Sequence, residues 1–323
     1  MVRRAGVAVS AIAFVAVACK PSLNDTQSIV TNARVLAVRA DPAESAPKTP
    51  IAFSALVVDA TGTLRDAPID WAFCNQRKPL AELGPVSPLC MTRDDDFLTE
   101  LGVGAGVTTT LAETACKEFG PDVPEVKMGE PAGRPVDPDP TGGYYQPLRL
   151  ALPGSGVDAF TLERARIACG IVGATSQQLV DFRTRYRPNA NPSVDALTAD
   201  GAPLVVEGSG APGVVAAGAR VTLRASWATC TDPTKDCGGA EPYVVFDLAS
   251  RSIVDRREAF RVSWFATAGS FDHDHTGRDA DEIDPFSENA WTAPMQGGTV
   301  HVWIVLRDER GGSGWKGFVV DVR

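Results

Sequence analysis

Thr299-Val300-His301-Val302-Trp303-Ile304-Val305-Leu306, then Asp308-Glu309-Arg310-Gly311-Gly312-Ser313-Gly314, then Trp315-Lys316-Gly317-Phe318-Val319-Val320-Asp321-Val322 read in order as strand, turn and strand. β-branched and aromatic residues fill both flanks, and glycines stand where a tight turn needs positive φ. The chain therefore ends in a hairpin. Working backwards, Phe260-Arg261-Val262-Ser263-Trp264-Phe265-Ala266 alternates with period two around a central tryptophan, which is a third strand.

The same grammar occurs about 170 residues earlier. Arg34-Val35-Leu36-Ala37-Val38-Arg39-Ala40 and Ile51-Ala52-Phe53-Ser54-Ala55-Leu56-Val57-Val58 read as strands separated by Asp41-Pro42 and Ala46-Pro47-Lys48, and Ile69-Asp70-Trp71-Ala72-Phe73-Cys74 follows the turn at 59–62. Ala216 to Ala225 lines up with Ala46 to Ala55, and the Trp264 strand answers the Trp71 strand. The repeat predicts two related domains, at 33–190 and 191–323, with Asn189-Ala190-Asn191-Pro192-Ser193 at the boundary.

These residues, together with Trp291-Thr292-Ala293-Pro294, resemble the bacterial immunoglobulin-like and PKD-like β-sandwich modules. In such modules a tryptophan on the third strand fills the space between two sheets, and a hairpin of the last strands closes one of them. The resemblance covers 195–323 and part of 33–75. It implies a mainly β chain of two antiparallel sandwiches, without the inter-sheet disulfide of antibody domains. Between the copies, 120–156 carries eight prolines and is expected to be a long insertion loop, since proline does not suit central strands. One helix is expected over 177–185, capped by Thr175 or Ser176, with Leu179, Phe182 and Tyr186 on its apolar stripe.

The chain has 323 residues, 44% hydrophobic and 22% charged, with Pro 24 and Gly 30. This composition is globular and excludes both disorder and a polytopic membrane protein. A net charge of −9 argues against nucleic acid, where Lys and Arg must neutralise phosphate. Residues 1–18 form a signal peptide: Arg3 and Arg4 precede a short apolar stretch, Ala5 to Ala18, that covers about 21 Å at 1.5 Å per residue, too short for the ~30 Å hydrocarbon core.

Ala16-Val17-Ala18-Cys19 resembles the lipobox of bacterial lipoproteins, with Ala16 in place of the usual Leu. The resemblance implies cleavage before Cys19, acylation of its thiol (palmitate among the chains), and anchoring in the cell envelope. Lys20, in place of the Asp that marks inner-membrane retention, points to the outer membrane. The alternative is ordinary secretion with cleavage after Ala18. Residues 19–32 then read as a polar tether. The whole chain is similar to multi-module surface lipoproteins of Gram-negative bacteria.

Six cysteines remain: Cys74, Cys90, Cys116, Cys169, Cys230 and Cys237. An even set in an oxidising compartment reads as disulfides, with 15 connectivities open. Chain proximity favours 74–90, 116–169 and 230–237. A zinc or redox site is the rival, but there is no CxxC motif and no histidine in the first half.

Standard catalytic signatures are missing: no G-x-S-x-G, P-loop, HExxH or placed GxGxxG. The richest constellation is Phe271-Asp272-His273-Asp274-His275-Thr276-Gly277-Arg278-Asp279-Ala280-Asp281-Glu282. Asp272, Asp274, Thr276 and Gly277 match the first half of a calcium loop, whose alternating oxygens wrap a hard cation; position twelve is Ile283 rather than Glu. Calcium by way of Asp272, Asp274, Asp279, Asp281 and Glu282 is one expectation. Zinc on His273 and His275 is a second, and a solvated loop without cofactor is the third. His301 alternates with Val300 and Val302, which places it on an exposed strand face. Trp227, Trp264, Trp291, Trp303 and Trp315 are expected in the core rather than on a carbohydrate-stacking face.

The functional expectation is a non-enzymatic, lipid-anchored envelope protein. Its sandwiches act as a spacer or binding and adhesion module, with the membrane and a surface protein or glycan as partners. The alternative is a secreted metal-dependent hydrolase working from 272–284. A palmitate analogue fed to expressing cells should label the wild type and leave Cys19→Ala unlabelled, read on an in-gel fluorescence scan.

Overall fold

The structure, a computed structural model, describes residues 27–77, 87–91, 95–122, 128, 138–153, 160–230, 232 and 236–323. The expected signal peptide over 1–18 and Cys19 to Thr26 lie outside them. The chain forms two antiparallel β-sandwiches of immunoglobulin-like topology. In the first, Arg34–Asp41, Pro50–Asp59 and Gly106–Thr110 make one sheet. Glu44–Ser45, Phe160–Ile167, Tyr144–Ala151, Asp70–Cys74 and Leu98–Val103 make the other, in that spatial order.

The second sandwich repeats the plan. Ala196–Ala199, Arg220–Ser226 and Phe286–Thr292 form one sheet. Gly213–Val215, Ser313–Val322, Gly298–Asp308, Phe260–Ala266 and His275–Arg278 form the other. In each copy the opening strand splits between sheets: a short second piece runs parallel to the last strand, Glu44–Ser45 on Arg166–Ile167 and Gly213–Val215 on 320–322.

The turn after that short strand shows the repeat most directly. Lys48 and Gly218 both have positive φ, 65° and 70°. Thr49 N donates to Ala46 O at 3.1 Å, as Ala219 N does to Ala216 O at 3.1 Å. Lys48 N reaches Leu111 O and Gly218 N reaches Pro294 O, each just past the equivalent strand.

Each sandwich closes on its central tryptophan. Trp71 and Trp264 are fully buried, and each indole N–H has a partner, Gly104 O at 2.8 Å and Thr276 Oγ1 at 2.9 Å. Around Trp71 pack Ile51, Phe53, Ile69, Leu148, Leu150 and Ile167. Around Trp264 pack Leu197, Leu223, Trp291, Val302, Ile304 and Phe318. The hairpin expected at the C-terminus is present as Gly298–Asp308 with Ser313–Val322.

The loop expected over 120–156 is corrected in part. Residues 144–151 are a central strand, paired with Phe160–Ile167 on one side and Asp70–Cys74 on the other, with Pro147 inside it. Pairing with Asp70–Cys74 runs only from Leu148 to Ala151. Just beyond it, the Gln146 side chain donates to Cys74 O at 2.8 Å, filling the place of the N–H that Pro147 lacks. The helix is Ser176–Arg185, with Thr175 as N-cap in a capping box with Gln178. Among the described residues no helix is long and apolar enough to cross a membrane.

The sandwiches lie face against face rather than strung end to end. Leu36, Ala37, Leu56 and Val58 of the first pack with Trp303 and Val305 of the second, flanked by Phe265 and Trp315. Trp303 has no exposed surface, and its indole donates to Thr63 Oγ1 across the interface at 2.9 Å. Within the expected tether, Ser28 to Val30 are already docked: Val30 N donates to Ala266 O and Ala266 N to Ser28 O, and Val30 is fully buried. Trp303→Ala should lower the unfolding free energy by about 3–5 kcal/mol, because it empties a large site between rigid sheets; urea unfolding followed by far-UV circular dichroism measures it.

Candidate functional site

The acidic segment comes first, because its residue types promised the most chemistry. Ser270–Phe271 pairs with the Phe286–Thr292 strand of one sheet, whereas His275–Arg278 pairs with Phe260–Ser263 of the other. Asp272 to Asp274 are therefore a crossover between sheets. Asp279 to Glu282 lie beyond the far end of a strand whose four residues span about 13 Å. A calcium loop must curl back on itself, and an extended strand prevents that.

Each acid has settled elsewhere. Asp272 pairs with the exposed Arg220, Asp274 accepts from Ser28 Oγ, and Glu282 accepts from Asp279 N at 2.9 Å and from Arg278. Asp281 is exposed. Among the described residues no three His, Cys, Asp or Glu side chains are grouped to hold a metal. The structure thus separates Asp272, Asp274, Asp279, Asp281 and Glu282 instead of gathering them. The histidines part as well: His275 Nδ1 contacts Ser263 Oγ at 3.0 Å, its pKa lowered by burial, while the His273 backbone is held by Asn289.

The cysteines do come together in the pairs favoured by proximity: Cys74–Cys90, Cys116–Cys169 and Cys230–Cys237, with Cα separations of 5.5, 5.9 and 5.6 Å. The first ties the short helical turn Pro88–Met91 to the end of the Asp70–Cys74 strand, where Ala72, Cys74, Cys90 and Leu98 cluster. His301 does lie on the outer strand face, but that face is covered. Its Nδ1 meets Glu207 Oε1 at 3.0 Å, and Glu207 Oε2 accepts from Thr63 Oγ1 of the first domain at 2.6 Å.

Sequence reasoning missed a cluster of buried charge at the junction of the sandwiches. Arg310, in the turn of the terminal hairpin, is fully buried. Its Nε donates to Glu258 at 2.7 Å, Nη2 to Glu241 at 3.0 Å and Nη1 to the carbonyl of Arg187 at 3.1 Å, and its guanidinium lies over the Tyr243 ring. From the first domain, the buried Arg166 donates to Glu44 at 3.1 Å, to Thr141 Oγ1 at 2.6 Å and to the Arg310 carbonyl at 3.4 Å. Glu44 also accepts from the Tyr186 hydroxyl and from Asn189 N at 3.0 Å. Asn189 Nδ2 then reaches both oxygens of the buried Asp308, at 3.2 and 3.3 Å.

Gly312 is required here. A Cβ would sit 2.1 Å from Asp308 Oδ2, and the Gly312 N–H donates to Asp308 Oδ1 at 2.8 Å. Burial, with the Asp308 charge beside it, raises the Glu258 pKa to about 8; burial likewise raises Asp308 and Glu241. The Tyr145 hydroxyl, within reach of both Arg166 and Asp139, is pushed up to about 12, again chiefly by burial.

One sheet face stays open. On the outer side of Arg220–Ser226 and Phe286–Thr292, Arg220, Thr222, Arg224 and Glu288 are exposed. Thr222, Arg224 and Glu288 line a shallow recess with Thr198, Asp200 and Gly201. Arg224 pairs with Glu288 at 2.7 Å and its guanidinium lies 4.1 Å from the centre of the Phe286 ring.

No family model matches the chain, and no curated protein does. Solved structures align over β domains at low identity. One is a nucleoside hydrolase-related protein of Saccharophagus degradans associated with carbohydrate metabolism, at 14% identity over 40% of this chain and 26% of that one, TM-score 0.20. Another is the FN1–FN3 domains of chicken CNTN1, at 9% identity over 92% and 65%, TM-score 0.22. A third is the D00–D0 domain of intimin, at 10% over 88% and 99%, TM-score 0.21. The chain spans about a quarter of the first of these and 65% of the second. Superposition at this level bears on neither activity nor partners.

Calcium should leave the unfolding midpoint where an equal concentration of magnesium leaves it. Asp272→Ala removes only an exposed ion pair and should cost no more than about 1 kcal/mol, read by thermal unfolding with each ion.

Proposed function

We propose that this chain is a non-enzymatic cell-envelope protein, lipid-anchored through Cys19 in the outer membrane. Its two joined sandwiches form one rigid body that presents the open polar sheet face of the second domain to a surface protein or glycan. The observation that carries this reading is the junction. An apolar contact centred on Trp303 and a buried network centred on Arg310 bind the domains across one interface. A freely jointed spacer has no use for either, since linkers between independent modules cross with few contacts.

The docked Ser28 to Val30 segment supports the same reading. Only seven residues lie between Cys19 and Gln27, eight steps of chain with a reach of at most about 29 Å, which keeps the body close to the bilayer. The open face combines both charge signs, hydroxyls and a guanidinium over an aromatic ring, a mixture suited to hydrogen-bonded recognition rather than to burying an apolar partner.

A photo-crosslinking amino acid placed at Thr222 in intact cells should give a discrete adduct of fixed mass, and Arg224→Glu should abolish it. The same probe at the exposed Val103 of the first domain should give none. An adduct pattern identical at both positions, or no adduct at Thr222, would overturn the assignment of this face.

A further inference from the structure

Glu44, Glu258 and Asp308 are buried at the junction, and only two buried guanidiniums, Arg166 and Arg310, answer them. Glu241, buried at 9% exposure, adds a fourth carboxylate on Arg310. Glu44 belongs to Arg166, which leaves Glu258, Asp308 and Glu241 all leaning on Arg310. Among the described residues no cation site is formed there. Carboxylates therefore outnumber guanidiniums in a region from which water is largely excluded, and such an excess is relieved most cheaply by protonation.

Local geometry supplies a place for it. Asn189 Oδ1 is buried without a hydrogen-bond partner, while its amide contacts Asp308 through Nδ2. Exchange of that amide's oxygen and nitrogen offers Oδ1 to a protonated Asp308 while turning Nδ2 away from the two oxygens it meets when Asp308 is ionised, so the amide can follow the proton. We propose that the junction is a proton-held clasp: one proton shared by Glu258 and Asp308, the most buried of the acids on Arg310, relieves the crowding of carboxylates there, and its loss loosens the two sandwiches from each other.

The groups facing the pair come from every element around it. Arg310 and the Gly312 N–H come from the terminal turn. Glu241, whose N–H donates to Glu258 Oε2 at 2.9 Å, comes from the neighbouring loop, with Asp236 beyond it and Tyr243 over Arg310, bonded in turn to Glu309. Asn189, with Glu44, Arg166, Tyr145 and Tyr186 behind it, comes from the first domain. In the second layer the tyrosines are held neutral by burial, Asp139 faces Tyr145 and Arg166, and the exposed Arg256 lies beside Tyr243 with its Nη1 on the Pro140 carbonyl.

The direction with pH follows from linkage. Glu258 titrates near 8 in the closed junction against an ordinary value of 4.5 once hydrated, so between these limits the closed form holds a proton that the open form lacks. The stabilisation is whole below the ordinary carboxyl range, erodes as pH climbs through the window and is flat above about 8.

Hydrogen exchange of the full chain tests this at the amides of Asn189, Ala190 and Gly312, which donate to Glu44, Glu241 and Asp308. After correction for the intrinsic base-catalysed rate, their opening constant should rise by up to about tenfold per pH unit from about pH 5 to about pH 8 and then level. Glu258→Gln and Asp308→Asn, each removing one of the acids that crowd Arg310, should remove the slope. A flat wild-type profile, or an unchanged slope in both variants, overturns the clasp. Should neither variant fold, infrared difference spectra of the wild type decide: a protonated-carboxyl band that disappears between pH 7 and 9 supports the clasp, and its absence at pH 6 overturns it.

Discussion

A guanidinium with no exposed surface is the constraint around which the rest is arranged. Removing one such ion from water costs several kcal/mol, and only a full set of acceptors offsets it. Arg310 takes those acceptors from both halves of the chain: Glu258 and Glu241 from the second domain and the Arg187 carbonyl from the end of the first. Its own carbonyl accepts from Arg166. The terminal turn must therefore face the junction, residue 312 must be glycine to let Asp308 and Asn189 approach, and residues 187–191 must pass directly beneath the hairpin. One buried charge thus dictates a turn, a linker path and a domain orientation.

The apolar half of the interface follows a different rule. A strand in an ordinary sandwich is apolar on one side, but Val300 to Leu306 is apolar on both, interrupted only by His301. Val300, Val302, Ile304 and Leu306 face the second core, and Trp303 and Val305 face the first domain. Near-continuous apolar character is the mark of a strand covered on both faces. That signal was present in the hairpin that revealed the fold. Read as alternation alone, it placed His301 on a solvated face, whereas the face is covered by Glu207 and the first sandwich.

Much of the fold was legible because its determinants are local. The tryptophan strands, the Thr175 capping box and each copy of the turn at Lys48 and Gly218 lie within a dozen residues, and the terminal hairpin joins two strands that are consecutive in the chain. What escaped was non-local or compensated. The strand through Pro147 is rescued by a side chain one residue away, a substitution that composition rules do not anticipate. The junction joins Glu44 to Arg166 across 122 positions and Asn189 to Asp308 across 119. No spacing rule reaches that far. The acidic segment failed for the opposite reason: its spacing suited a loop, but His275–Arg278 pairs as a strand, and an extended backbone points successive side chains to opposite faces.

The two copies have diverged in what their equivalent faces do, and this divergence locates the surface left for recognition. In the first copy the strand aligned with Arg220–Ser226 continues to Asp59, and its outward positions become apolar at Leu56 and Val58, which the second domain covers. In the second copy the strand stops at Ser226, and its outward positions are Arg220, Thr222 and Arg224. The opposite sheet of the second copy turns Phe265, Trp303, Val305 and Trp315 outward to meet the first, whereas that of the first carries the Cys74–Cys90 disulfide on its outer side, where Ala72, Cys90 and Leu98 are buried. The contact between the domains thus takes one outer face from each copy. The charged face around Arg224 keeps polar outward positions along Arg220–Arg224 and has nothing of the chain's own over them among the described residues.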